Sequence, residues 1–436
     1  MRATPALAAG GRTVANLLSA TEWMLPSPAS QVHTISVFPS QSPNPRHEFA
    51  FSNLTTWLGN GGRKGVEAES PKFHVVRDDL LHPLANGNKA RKLDALLPLL
   101  RRRGATDIVR SFTSAVPAFG ISFSAMLVML TVPVAGYMRR LPERPCRSRR
   151  PHILLRGEQL DVPTGYNLIS LMFGNVTYAS RSVYAQRDEM LYEHATKVAG
   201  SNGTVMWADD IVGEDLVADE DITYGNCSRR VMIVKEGAGT VQALLGAMRL
   251  VDYLSGTTLF GQDEKVHIVV DSGTGTTAVG LALGARSFSN IQSTKRKMRG
   301  ALKFFTAIKM GKEKKLRQLL AFTFFFPEDF SLRLQWRVTA VMLADTLESL
   351  VQWVERSSPR RFGKVLDGEI AMCRQVAQQT GVLLDPMYTL AAWEQAVDLC
   401  RRDSEAKVVM VHTGGTLGLF GLAQRYPPQF TADEQP

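Results

Sequence analysis

Cysteine is scarce in this chain of 436 residues, and the four present, Cys146, Cys227, Cys373 and Cys400, lie far apart with no Cys-x-x-Cys pair. That spacing excludes a zinc site and a disulfide framework, so no metal is expected and a reducing compartment is. Acidic residues are almost missing from the start, where the first 46 residues hold only Glu22 beside Arg2, Arg12 and Arg46. Such a leader reads as an organelle transit peptide, an untargeted tail being the alternative, and the lack of an apolar h-region excludes secretion. No Gly-Lys-Ser/Thr occurs, which excludes a P-loop. Between Ser111 and Met138 there is no charge at all. Phe119 to Gly136 is apolar enough to score as a membrane span, but Pro117 and Pro133 bracket it and an Arg/Pro-rich run, Arg139 to Pro151, follows. A buried helix, or a segment foreign to the fold, is the preferred reading over a transmembrane helix.

The net charge of +10 is local. Arg286 to Arg317 holds eleven Lys or Arg against Glu313, and Arg139 to Arg150 holds six Arg against Glu143, which leaves the rest of the chain at −5. Neither patch carries the aromatic or glycine pattern of a nucleic-acid module, so no nucleic-acid partner is expected.

Beyond a glycine-rich linker over 47–70, short apolar runs alternate with helical periodicity. Strands are expected at Lys72 to Arg77, His152 to Arg156, Val176 to Ala179, Val205 to Trp207, Val231 to Val234, Val266 to Val270, Val338 to Ala344 and Val408 to Val411. Helices are expected after the lysine turn to about Gly104, over Tyr166 to Phe173 and Gln186 to Val198, through Leu254, over Gly368 to Gly381, and from Leu390. This alternation with short connections predicts an α/β fold with largely parallel sheets. Phe288 to Leu334, with its basic run and Phe322-Thr323-Phe324-Phe325-Phe326-Pro327, breaks the pattern and reads as an insertion.

Three turns carry candidate chemistry. In Asn86-Gly87-Asn88-Lys89, the lysine enters the first turn of a helix whose Leu93, Leu96, Leu97 and Leu100 fall at i, i+3, i+4, i+7. A cation there opposes the helix dipole, and Arg91 and Lys92 crowd it, which favours a neutral, nucleophilic amine. A solvated basic helix start is the plainer reading of the spacing alone. Asp271-Ser272-Gly273-Thr274-Gly275-Thr276-Thr277, between a buried strand and a helix, presents N–H groups and hydroxyls to an anion. A single phosphate suits it better than a dinucleotide, because no strand with a terminal acid follows on schedule; a structural turn is the alternative. The third turn is His412-Thr413-Gly414-Gly415-Thr416 after the last strand.

An imine-forming lysine, an anion cradle and a ring-nitrogen partner are what pyridoxal phosphate requires. Arg77 to Pro98, Val234 to Gly284, Arg360 to Trp393 and Val408 to Tyr426 resemble the D-cysteine desulfhydrase and 1-aminocyclopropane-1-carboxylate deaminase family, especially its plant mitochondrial D-cysteine desulfhydrase branch. The resemblance implies a tryptophan-synthase-β-like fold, fold type II among pyridoxal-phosphate enzymes, with two domains each built on a mainly parallel sheet. It implies a large domain over 71–92 and 230–430 with the 288–334 insertion, a small domain over 93–229 with an atypical 105–151 segment, a leader and linker over 1–70, and a tail over 431–436.

By the same resemblance Lys89 is the Schiff-base lysine and Lys92 a phosphate contact. Gly273, Thr274, Gly275, Thr276 and Thr277 form the phosphate cradle, Tyr388 stands near the substrate, and Thr413 and Gly414 line the ring. Thr389 takes the place of a deaminase glutamate at the ring nitrogen. A neutral threonine leaves a weaker electron sink, which suffices for expelling thiolate and favours D-cysteine over the cyclopropane substrate. The implied reaction is α,β-elimination of D-cysteine to pyruvate, hydrogen sulfide and ammonia, with Lys89 taking the Cα proton. A homodimer in the mitochondrial matrix is implied, with the cytoplasm the alternative site. The family's Gly-Gly-x-Gln-Ser-like loop is absent from Ser111 to Arg150, which leaves impaired turnover, a catalytically inactive cofactor-binding protein, and a deaminase as the other expectations.

Overall fold

The computed structural model describes residues 14–40, 47–51, 70–82, 87–112, 150–211, 228–235, 240–256, 265–273, 275–289, 302–308, 351–355 and 363–431. Two sheets organise them. The larger contains β1 (Val32–Pro39), β2 (His47–Phe51), β3 (Lys72–Val76), β9 (Lys265–Ser272), β10 (Leu302–Ile308), β11 (Val351–Glu355) and β12 (Ala406–Val411) in the order β11-β10-β9-β12-β3-β1-β2. From β11 to β3 neighbouring strands are parallel, and β1 and β2 complete one edge as antiparallel strands. The smaller contains β4 (Asp107–Phe112), β5 (Arg150–Arg156), β6 (Asn175–Ala179), β7 (Thr204–Trp207) and β8 (Arg230–Val234), all parallel, in the order β6-β5-β4-β8-β7.

Both faces of the large sheet are covered, which is why its central strands are apolar without a break. Val75, Val269, Val408 and Met410 face α8 (Glu369–Thr380) and α9 (Thr389–Arg402), where Trp393 receives the edges of Phe49 and Phe73 at centroid distances of 5.3 and 4.9 Å. The alternate residues Val76, Ile268, Val270, Val409 and Val411 face α6 (Val241–Gly256) and α7 (Thr276–Ser289). The two strand faces thus serve two separate cores, as a side-chain period of two requires.

Helix α2 (Asn88–Arg102) corrects its expected amphipathic character, since every residue from Ala90 to Leu100 is buried. Leu93, Leu96, Leu97 and Leu100 meet Ile108, Ile153, Tyr166 and Met232 of the small-sheet core, while Ala95 meets Leu18, Leu245 and Met248. The polar residues inside this helix are paired. Arg91 donates to both Asp78 oxygens at 3.1 and 2.8 Å, to Ser30 Oγ at 2.7 Å and to the Pro28 carbonyl at 2.8 Å. The chain at Gly246 comes so close that a Cβ there would stand 1.8 Å from the Arg91 carbonyl oxygen. Gly246→Ala is therefore expected to cost about 3 kcal/mol or more, read as a lower urea midpoint, because the obstruction is backbone.

Residues 1–13 of the expected leader lie outside the described residues. Residues 14–40 and 47–51 build structure: α1 (Val14–Ala20) buries Leu18, and β1 and β2 supply two strands. The Met24 N–H donates to the Asp94 carbonyl at 2.7 Å and the Leu25 N–H to Asp94 Oδ1 at 2.7 Å, and Arg249 closes the cluster on Asp94 Oδ2 at 2.7 Å. The one acid of residues 14–40, Glu22, pairs with Arg101 at the end of α2. The linker expected over 47–70 also gives way to β2 over 47–51.

The atypical segments are corrected in part. Ile108 and Val109, at the start of the expected atypical 105–151 segment, are buried in β4, the central small-sheet strand. Likewise β10, within the expected 288–334 insertion, pairs with both β9 and β11. The apolar stretch from residue 113, the strand at Val338 to Ala344, and Thr274 lie outside the described residues. No helix among the described residues is long and apolar enough to cross a membrane.

At the start of β4 and β5, His152 pairs with Asp107 at 2.9 Å and lies edge-on to His194 on α5 (Arg187–Ala199). Burial holds the His194 imidazole below its ordinary 6.5, with His152 and Lys197 adding to the effect. A depressed folded value means that stability is full above the unfolded value and is lost as pH falls below it. His194→Gln is therefore expected to flatten the decline of melting temperature between pH 6.5 and the lowered folded value, an unchanged slope counting against this assignment.

Candidate active site

Parallel strands point their carboxyl ends one way, and the ends of β3, β9 and β12 lie side by side because Val76 pairs with Val411 and Met410 with Val269. Beyond them the chain presents Asp271 to Gly273 and His412 to Gly415, with the lysine turn alongside. The Asn88 N–H donates to the Thr413 carbonyl at 3.1 Å and the Gly87 N–H to the Asp78 carbonyl at 2.8 Å, which fixes the turn against β12. Gly87 is required on two counts: its φ is 65°, and a Cβ would stand 1.8 Å from the Thr413 carbonyl oxygen. Lys89 is partly buried in the first turn of α2, and its Nζ donates to Asn88 Oδ1 at 3.1 Å.

Lys92, one turn on, is buried. Burial pushes its ammonium well below the ordinary lysine range, the nearby Lys89 and Arg110 charges add to this, and Asp271 opposes it. Contrary to expectation, Arg91 does not crowd Lys89, since Asp78 takes its guanidinium.

At the glycine-threonine turn, Gly275 has a φ of 87° and its carbonyl accepts from the Val279 N–H at 3.0 Å as α7 begins. Thr276 and Thr277 are buried at that helix start, and the Thr277 hydroxyl is enclosed with no hydrogen-bond partner among the described residues. A buried hydroxyl awaiting a partner, the N–H groups of a helix start and a buried ammonium among like charges together fit a phosphate. A Cβ at Gly273 would stand 3.3 Å from the Tyr388 ring, so this glycine and tyrosine face each other across the turn.

Two buried acids, which the sequence reading treated only as turn residues, complete the site. Asp271 accepts from the Thr413 hydroxyl. Burial pushes its carboxyl up to about 6, the Asp385 charge adding to the rise while Thr413 and Lys89 counter it. Asp385 Oδ1 accepts from the Met387 and Tyr388 N–H groups, both at 2.9 Å, and Oδ2 from the Thr389 hydroxyl at 2.8 Å. Burial also raises this second carboxyl against those bonds. A signal for Asp271 was available: an acid at the end of an all-apolar central strand has to be paired or functional.

Thr389, expected at a ring nitrogen, stands at the start of α9. Its hydroxyl donates to Asp385 Oδ2 at 2.8 Å and accepts from the Asp385 N–H at 2.7 Å, so its proton is already committed. Lys89, Lys92, Asp271, Thr413, Gly414, Tyr388 and the Gly273 turn do converge, from four distant stretches of chain. His412 is buried beneath them, its Nδ1 accepting from the Gly414 N–H at 3.2 Å and its Nε2 lying 3.1 Å from the Leu383 carbonyl. Burial lowers its pKa, Asp79 opposing, which favours the neutral ring.

No family model matches the chain. A protein of Oryza sativa subsp. japonica named "Putative D-cysteine desulfhydrase 2, mitochondrial" is 59% identical over 468 aligned residues, covering 100% of both chains. A protein of Yersinia pestis named "D-cysteine desulfhydrase" is 23% identical over 82% of this chain and 89% of its own. Among solved structures, one described as an ACC deaminase homologue aligns with a TM-score of 0.58 at 18% identity, over 96% of this chain and 99% of that one. That likeness bears on fold alone, and it agrees with two parallel-sheet α/β domains of the fold type II pyridoxal-phosphate class. With the lysine turn, the anion cradle and a full-length relative at this identity all in agreement, the chain belongs to the D-cysteine desulfhydrase and 1-aminocyclopropane-1-carboxylate deaminase family.

Proposed function

We propose that this protein is a pyridoxal-phosphate-dependent lyase that converts D-cysteine and water to pyruvate, hydrogen sulfide and ammonia. The observation that carries the reading is the lysine turn held against β12 through Asn88 and Thr413, beside the glycine-threonine turn that follows β9. Lys89 would hold the cofactor covalently and, once displaced by substrate, accept the Cα proton. Lys92 and the cradle would hold the phosphate, and Thr413 and Gly414 would line the ring. When bound, pyridoxal phosphate supplies an electron sink that stabilises the charge left at Cα. Tyr388, held by its N–H on Asp385, stands over Gly273 on the expected substrate side. The name of the rice relative supports a mitochondrial site of action, and a homodimer remains the assembly expected from the family.

The test is purified protein supplied with pyridoxal phosphate, reduced with borohydride, and assayed for sulfide from D- and L-cysteine and for ammonia from 1-aminocyclopropane-1-carboxylate. Label on the Lys89 peptide together with sulfide from D-cysteine supports the reading. Label without turnover of any substrate would identify a cofactor-binding protein that is not a lyase, and label elsewhere would remove the site assignment.

A further inference from the structure

Thr413 has one proton to donate, and Asp271 takes it. A hydroxyl so committed can only accept from anything else that approaches it. Asp271 is buried at the end of β9, where the Lys89 charge and the Thr413 hydrogen bond favour its ionised, accepting form against burial and the Asp385 charge. The Thr389 hydroxyl is committed to Asp385 in the same way.

We infer that Asp271 is a positioning residue for the cofactor ring: it turns the Thr413 hydroxyl so that an oxygen lone pair, not a proton, faces the pocket. This rests on the reading that Thr413 lines the ring. A lone pair at that position favours a ring nitrogen that carries its proton. The pair therefore supplies, through a neutral hydroxyl and a buried carboxylate, the bias toward a protonated ring that a direct carboxylate contact would give. The weaker electron sink expected from a threonine at position 389 then does not follow, because the acid acts from Asp271 through Thr413.

The experiment uses pyridoxal phosphate labelled with 15N in the ring, loaded onto the substrate-free protein, with the ring-nitrogen shift as the readout. The wild-type protein is expected to show the shift of a protonated ring; Asp271→Ala and Thr413→Val should move it toward the unprotonated value, while Thr413→Ser, which keeps the hydroxyl, should not. Cofactor affinity should fall about tenfold in each of the first two variants and no further in the double variant, since both remove one hydrogen-bonded unit. Asp271→Ala is expected to fold, because it removes a buried acid that folding disfavours, and Asp271→Asn offers a second variant of the same size. Equal shifts in wild type, Asp271→Ala and Thr413→Val, with borohydride label still on Lys89, would overturn this inference alone. A wild-type protein without label on Lys89 would overturn the site reading and this inference with it.

Discussion

Replacing Lys89 with alanine is expected to abolish sulfide release from D-cysteine and borohydride-stable attachment of the cofactor, while the melting temperature of the cofactor-free protein stays near that of wild type. The asymmetry follows from where the side chain sits. Lys89 is partly exposed in the first turn of α2, outside the hydrophobic clusters that hold the helix, so its removal leaves no large cavity. Chemically it is asked to do two things, to hold the cofactor and to move the Cα proton. Loss of a positioned base alone costs about 10²- to 10⁴-fold, and loss of covalent attachment adds to that. Steady-state sulfide release and mass spectrometry of the reduced protein measure the two effects separately. Wild-type turnover in the alanine variant would end the assignment of Lys89 as the base.

The second large effect is on stability and involves no cofactor. Asp78→Ala leaves the Arg91 guanidinium buried without the carboxylate that takes two of its hydrogen bonds. Both side chains are about 1% exposed, so water cannot replace the missing partner without opening the core. Breaking such a pair from one side costs about 3–5 kcal/mol. Replacing both partners with apolar residues, Asp78→Leu with Arg91→Met, is expected to recover part of the loss, because no uncompensated charge remains. Urea unfolding of the wild type and the two variants measures this through the midpoint at constant slope. A loss below about 1 kcal/mol in Asp78→Ala would mean that the ion pair is as weak as one on the surface. Arg91 sits two residues beyond Lys89, so cofactor retention should decline along with stability in the single variant.

Much of the fold could be read from the chain because its parallel strands are continuous apolar runs bounded by glycine turns, as at Val266 to Val270 and Val408 to Val411. The lysine turn and the anion cradle were legible for a related reason: each couples a strand end to a helix start at a glycine whose conformation few other residues adopt. What escaped the sequence reading depends on distant partners. Residues 14–39 show no sign of belonging to the fold until Asp94 and Asp78 are seen to accept their hydrogen bonds. Asp271 and Asp385 look like turn residues until burial brings their charges near each other. The Thr389 hydroxyl looks available until the Asp385 carboxylate, four residues earlier, is seen to claim it. β10 was missed because it lies within a basic stretch whose composition outweighed its periodicity.

The strand order of the large sheet also has a consequence during synthesis. β3 lies between β1 and β12, so the middle of this sheet joins residues near position 75 to residues near position 410. Chain closure of that span is slow compared with local contacts. A polypeptide leaving the ribosome, or a membrane pore, with its N-terminus first can complete the small sheet from β4 to β8 early, but β3 must wait for its parallel neighbour until nearly the whole chain has emerged. Until then the apolar faces of β3 and β9 are open to chaperones and to aggregation. A nascent chain halted before β12 should show amide protection in the small sheet and little in the large one, and a stop codon a few dozen residues early would remove the keystone of the assembly and not merely its tail.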